Sequence, residues 1–217
     1  MPDQVQGRFI TLEGGEGTGK STQVGLLVDR LRECGVRVVA TREPGGSDGA
    51  EAIRRLLVDG DVGRWTPMTE ALLLFAARKE HLERTILPAL KQGKWVVSDR
   101  FADSTMAYQG HAHGLGTDVI SDLYNIVVGP FRPDFTIILD LPATVGLARA
   151  GRRVETGDGP AEDRFERMGL AFHERLREGL LDIARNEPQR CAIVDAAGDV
   201  DSVAAAVWAK VARHFGL

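Results

Sequence analysis

Gly14-Gly15-Glu16-Gly17-Thr18-Gly19-Lys20-Ser21 decides how this chain is read. The stretch satisfies G-x-x-x-x-G-K-[ST], a pattern with a mechanism only when a strand precedes it and a helix follows. Both flanks are present. Residues 8–13 (RFITLE) form a short apolar run, and residues 20–34 carry Val24, Leu27, Val28 and Leu31 at helical spacing before Gly35. The glycines allow the backbone to curl, so that successive N–H groups converge on phosphate oxygens. Lys20 places a charge at the β- and γ-phosphates, and Ser21 offers a hydroxyl to Mg²⁺. Thr22 follows in the first helical turn, whose dipole end also favours anions. A glycine-rich turn can be a plain connection, but pattern and context together outweigh that reading. The spacing G-x-x-G-x-G also departs from the dinucleotide fingerprint G-x-G-x-x-G. The expected ligand is therefore ATP, held by residues 14–22.

Four more short apolar runs lie downstream, at 37–41 (RVVAT), 95–99 (WVVSD), 135–140 (FTIILD) and 191–195 (CAIVD). Most are continuous rather than alternating, as in a parallel sheet covered on both faces. Helical patterns separate them at 50–58, 66–90, 117–128, 142–153, 161–186 and 199–215. This β-α alternation implies an α/β fold with a doubly wound, five-stranded parallel sheet and helices on both faces. In such a sheet the strands' carboxyl ends form the binding crevice. Glu13, Asp99, Asp140 and Asp195, each ending a strand, are expected along one rim.

The chain has 217 residues, enough for one domain with a small mobile insertion. Residues 151–162, with Arg152, Arg153, paired glycine turns and Pro160, read as that flap. A net charge of -4 provides no global field for nucleic acid, so none is expected as a partner. Arginine outnumbers lysine 22 to 5, which fits either bidentate phosphate forks or codon bias. Cys34 and Cys191 read as small buried residues. The N-terminus has no apolar targeting stretch, and no run reaches the length of a membrane span. A cytoplasmic location is expected.

The rim carries the acceptor chemistry. Asp99 stands where a carboxylate would hold Mg²⁺, and Arg100 could fork onto an acceptor phosphate. Arg42, Glu43 and Pro44, within Thr41–Gly46 (TREPGG), form a compact turn beside them. Phe75 and Arg78 share a helix face. By spacing alone they suit a core ring and a surface charge better than a stacking ring and a base-reading fork. Ser104, Tyr108 and Gln109 could line a sugar-base pocket, while His111 and His113 read as a solvated loop. Glu16, an acid at the crown of the loop, cannot stabilise charge on a transferred phosphoryl group.

These residues together resemble the bacterial thymidylate (dTMP) kinase family over nearly the whole chain. The P-loop, TREPGG, LLLFAARKEH (72–81), Asp99-Arg100, STMAYQG (104–110), FRPDFTIILD (131–140) and DRFE (163–166) carry the likeness. It implies a P-loop nucleoside-monophosphate-kinase-like fold, a single kinase domain over 1–217 with a lid at about 149–162. It implies transfer of the γ-phosphoryl of ATP to dTMP with Mg²⁺, in a homodimer. It further implies that Phe75 stacks on thymine and Arg78 bonds a thymine carbonyl, reversing the reading from spacing. Arg100 would grip the dTMP phosphate and Glu13 would lie near the sugar and metal waters. Tyr108 would exclude a 2′-hydroxyl, with Ser104, Thr105 and Gln109 completing the pocket. Glu16 together with Arg149, Arg152 and Arg153 resembles the family type that places its catalytic arginines in the lid. Arg149 and Arg153 are the lid residues expected beside Lys20, Arg100 and Glu13 in catalysis.

Overall fold

A computed structural model describes residues 7–156 and 164–217, with the backbone alone for 153–156. β1 (Phe9–Gly14) leads through the glycine loop into α1 (Lys20–Glu33). β2 (Val38–Arg42) and α2 (Asp48–Val58) follow, then α3 (Pro67–His81). α3 continues without a break through a π-helical turn (Leu82–Ile86) into α4 (Leu87–Lys91). β3 (Trp95–Asp99) precedes α5 (Ala102–Thr105), which runs on as a π-helical segment (Met106–Ala112). The remainder is α6 (Thr117–Val127), β4 (Phe135–Asp140), α7 (Ala143–Thr156), α8 (Leu170–Asn186), β5 (Cys191–Asp195) and α9 (Val200–Phe215).

Among the described residues the sheet has five strands, all parallel, in the order β2-β3-β1-β4-β5. The expected α/β fold and strand set are found, with β1 and β2 each one residue later than the sequence suggested. Strand alternation divides the core. Ile10 and Leu12 face Val24, Leu27, Val28 and Leu31 of α1 and Val203, Val207 and Val211 of α9. Phe9, of opposite parity, packs with Phe75, Phe101 and Tyr124 on the other face. Each such aliphatic or aromatic residue contributes about 1.5–3 kcal/mol on burial. Thr11 and Glu13 share the parity of Phe9, so Glu13 points beneath α5 rather than toward α1. The order reverses between β1 and β3, and a doubly wound sheet opens its crevice at such a switch.

Several local expectations are corrected. The single long helix at 66–90 contains a π turn, for which Pro88 gives the reason. Proline offers no N–H, and its ring crowds the carbonyl four residues earlier, so the ladder widens to pass it. The helix expected from 161 starts only at Leu170. Before it, Arg164 donates to the carbonyls of Leu57 and Asp61 and holds its segment in turns. α7 runs to Thr156, so the first part of the expected flap is helical; the rest of it, residues 157–162, lies outside the described residues. Cys34 is exposed, although Cys191 is buried. His113 is not a solvated loop residue: its ring sits 4.8 Å from that of Phe172, and burial pushes its pKa down.

Candidate active site

The phosphate cradle is built from backbone. Gly17 and Gly19 take φ of 68° and 82°, a left-handed region that other residues rarely enter. Gly17 is fixed for a second reason, since a Cβ there would collide with the carbonyl of Gly146 on α7. A Cβ on Gly146 would in turn strike the Glu16 carbonyl. The loop thus rests backbone to backbone on the helix that leads to residues 157–163. Lys20 Nζ donates to the Gly15 carbonyl at 2.7 Å, as does the Thr18 hydroxyl at 3.0 Å. Burial, reinforced by Arg100, pushes the Lys20 ammonium down to about 8. Ser21 Oγ donates to Asp99 Oδ2 at 2.6 Å, which joins the expected metal-side hydroxyl and carboxylate. Two hard oxygens at the cradle's mouth suit Mg²⁺, an ion that takes few protein ligands and fills its octahedron with phosphates and water. Among the described residues there is no cluster of three metal-ligating side chains.

Beside the cradle opens a cleft of about 350 Å³. Glu16, Gly17, Gly19, Lys20, Ser21 and Thr22 line its phosphate end, with Asp99 and Arg100 at the middle. Arg42, Glu43, Pro44 and Arg78 line the far end, facing Ser104, Thr105, Tyr108 and Gln109. All of these were expected at the site from sequence. Gly14, Gly15 and Thr18 contribute to the loop behind the lining.

Arg100 joins the two ends. It has a φ of 70°, unusual for a residue with a side chain, and its amide donates to the Leu12 carbonyl. Nη1 donates to the Gly14 carbonyl at 3.1 Å and to Ser104 Oγ at 3.0 Å. Nη2 donates to Glu16 Oε1 at 3.0 Å and Tyr108 Oη at 2.9 Å. The Tyr108 hydroxyl also donates to Glu16 Oε1, at 2.5 Å. Burial would raise the Glu16 carboxyl, but Arg100, Lys20 and Tyr108 outweigh it and hold the pKa at about 2. The positive partner of the acid at the crown is therefore Arg100, from β3's end.

The far end is a network of buried charges. Arg78, only 2 % exposed, donates from Nε to Glu43 Oε2 at 2.8 Å. Its Nη2 donates to the Phe101 carbonyl and to Thr105 Oγ1, while Nη1 is buried without a protein partner. The other oxygen of Glu43 takes His81 Nδ1 at 2.9 Å, and Thr41 Oγ1 meets His81 Nε2 at 2.6 Å. A carboxylate only accepts, so His81 carries a hydrogen on Nδ1. Gln109 donates from Nε2 to Glu70 Oε1 at 2.6 Å, and Glu70 Oε2 lies 2.5 Å from Arg164 Nη2. Gln109 Oε1, like Arg78 Nη1, is buried with no protein partner.

Outside the glycine loop, three more expected site residues do not line the cleft. Phe75 is 1 % exposed within the core, stacked under the Arg78 guanidinium at 4.9 Å. Leu74, one residue earlier and four before Arg78, lines the cleft in its place. Glu13 lies fully buried below. Its oxygens accept from the Phe101 amide at 2.7 Å and from Ser104 at 2.5 Å. Burial, then the nearby Asp103, raises its pKa to about 8. Arg149 turns to the loop after β5, donating to the carbonyls of Ala196 and Ala197. The Arg153 side chain lies outside the described residues. Sequence reasoning passed over Glu70, His81 and Arg164 as individual site residues. Each sits inside a segment named for other reasons, and Glu70, an acid in the first turn of α3, was not singled out.

The geometry agrees with the comparisons. The family model described as thymidylate kinase matches residues 12–207. A thymidylate kinase from Caulobacter vibrioides is 55% identical over 213 residues, spanning 98% of this chain and all of that protein. One from Nitrobacter hamburgensis is 50% identical, spanning 95% of this chain and 89% of the relative. The crystal structure of a thymidylate kinase from Ehrlichia chaffeensis superposes with a TM-score of 0.75 at 35% identity, spanning 96% of this chain and 99% of that one. A glycine loop between strand and helix, the cleft beside it and relatives of this kind lead to one conclusion: the chain belongs to the thymidylate kinase family, P-loop kinases that pass the γ-phosphoryl of ATP to dTMP in dTTP synthesis.

Proposed function

We propose that the cleft divides this reaction between its two ends, with ATP phosphates at residues 14–22 and the dTMP base between Arg78 and Gln109. The observation that carries the assignment is the pair of buried, unpartnered atoms on the residues lining the far end. Arg78 Nη1 is a donor and Gln109 Oε1 an acceptor. Thymine presents the complement on one edge, an O4 acceptor beside an N3–H donor. Burying either protein atom unpaired costs about 1–3 kcal/mol, which the base would relieve. Leu74 then offers apolar contact to the ring, and Tyr108 crowds the sugar.

Little covalent chemistry falls to the protein. The acceptor phosphate has its second pKa near about 6, so its attacking oxygen is already largely deprotonated at neutral pH. Glu13, away from the cleft lining, is not required as a base and instead holds Ser104 and the Phe101 amide. Arg100 exchanges Glu16 for the dTMP phosphate and aligns it with the γ-phosphoryl of ATP. Mg²⁺, held by Ser21 and Asp99, would neutralise phosphate charge. A lid over about 149–162 supplies Arg153 and excludes water; Arg149 instead braces α7 against the loop at Ala196 and Ala197. The single-domain enzyme is proposed to act in the cytoplasm as a homodimer. The 80 % exposed Ile126 on α6 and the exposed Leu72 on α3 support a helical interface. Among the described residues no helix is long and apolar enough to cross a membrane.

A panel of nucleoside monophosphates with ATP and Mg²⁺ tests the reading. ADP release should be fastest with dTMP, and a preference for a purine monophosphate would overturn it. Arg153→Ala with unchanged kcat would remove that arginine from the mechanism.

A further inference from the structure

We infer that Glu70, on the first turn of α3, sets the base preference of the cleft by fixing which way the Gln109 side-chain amide points. The inference rests on the proposed placement of the base. A side-chain amide can present either its oxygen or its NH₂ group, and the two orientations have nearly the same shape. An amide free to turn would accept the N3–H of thymine in one orientation and donate to the bare N3 of cytosine in the other. For Gln109 to add to the selection between the two bases, something other than the base must hold the amide.

Glu70 meets that requirement. Its side chain is buried, and its Oε1 lies 2.6 Å from Gln109 Nε2. A carboxylate has no hydrogen to give, so only the NH₂ end of the amide can face it. Gln109 Oε1 is left for the cleft as an acceptor, buried and unpartnered. Arg164 Nη2 lies 2.5 Å from the other oxygen as an ion pair, so a group that can only donate stands on that side of the carboxylate. His113 Nε2, at 3.6 Å, is the remaining group facing Glu70 Oε1 and lies beyond hydrogen-bond distance. Arg164 is itself fixed by the carbonyls of Leu57 and Asp61, so the chain of contacts runs from α2 through Glu70 to the base-reading atom. Glu70 is thus a positioning residue that never touches the substrate.

The test is the ratio of kcat/KM for dTMP to that for dCMP. In Glu70→Gln, the new amide keeps its oxygen toward Arg164 and turns its NH₂ toward Gln109. Gln109 must then answer with its oxygen and show its NH₂ to the base. The ratio should fall by on the order of 10²-fold, the scale of one mispaired buried hydrogen bond. A purely structural role would slow both substrates alike, and an unchanged ratio would overturn the inference. In a Gln109→Met background, Glu70→Gln should leave the ratio where Gln109→Met alone put it; a further drop would also count against the inference. Gln109→Met with an unaltered ratio would overturn the base placement itself, whereas a collapsed ratio there beside a normal one in Glu70→Gln would overturn the role of Glu70 alone. Should Glu70→Gln not fold, proton NMR of the native enzyme with dTMP decides. Contacts from the Gln109 amide protons to the Glu70 methylenes support the inference, and contacts to the thymine N3 proton overturn it.

Discussion

The two ends of the cleft recognise their ligands by opposite means. The proposed phosphate end is one unbroken stretch, residues 14–22, whose left-handed glycines and one lysine suit it to work through backbone N–H groups. The base end draws Glu43 from the turn after β2, Arg78 and Glu70 from α3, Gln109 from the π-helical segment and Arg164 from the turns before α8. Phosphate is the same in every nucleotide, so a generic anion cradle suffices. A base is distinguished by the order of donors and acceptors on its edge, and that order must be held by side chains packed from several directions. The contrast implies that damage at the phosphate end should appear in catalysis, while damage at the base end should appear in stability and selectivity together.

The sharpest way to break that contrast is Glu43→Gln. It strips the carboxylate from Arg78 and His81 at once and leaves a guanidinium buried without its counter-charge. A loss of about 3–5 kcal/mol in unfolding free energy is expected, with a raised KM for dTMP. Denaturant unfolding that matches the native enzyme would mean the network is not under load.

Glu13 tests the floor between the two ends through pH. Its folded pKa of about 8 exceeds the ordinary 4.5, so between those values the folded state holds more protons than the unfolded. Stability from this group is complete below about 4.5 and declines as pH rises toward about 8. Glu13→Gln cannot titrate and should flatten the slope of unfolding midpoint against pH across that window. An equal slope in both proteins would show that Glu13 is ionised throughout.

Arg100→Ala belongs to the phosphate side. The expected loss in kcat is on the order of 10²-fold, as for one preorganised charge, with the fold intact. Near-normal turnover would reject its role on the acceptor phosphate.

Gly146→Ala has the smallest expected effect and probes whether the cradle depends on local sequence alone. The added methyl meets the Glu16 carbonyl, so loop or α7 must shift, at a cost of about 1–3 kcal/mol. ATP KM should rise while dTMP selectivity stays constant. A change in selectivity would mean that the two ends are not separable.

Legibility in the sequence followed the same division. The strand, glycine loop and helix of the cradle were legible because the pattern is local: the glycines, Lys20 and Ser21 are close on the chain. The strands were legible because burial on both faces leaves continuous apolar runs. Arg78 shows what local reading misses. A guanidinium three residues from a phenylalanine looks like a surface charge, and only Glu43, 35 positions away, makes its burial tolerable. Phe75 shows the reverse: an aromatic that family likeness assigns to the base is 1 % exposed against the core, while its neighbour Leu74 lines the cleft. The helix expected from 161 failed because periodicity cannot register that Arg164 is anchored to the carbonyls of another element.

The stretch Gly14–Ser21 by itself determined that the protein binds nucleotide phosphates, because hydrogen-bond donors of the backbone need only a particular local curl to converge on an anion. The tertiary structure alone decided the partner of Glu16 and the free atoms of Arg78 and Gln109. Those depend on which buried charges meet across the fold, and a charge far from water takes its meaning from what lies within about 3 Å of it rather than from its neighbours along the chain.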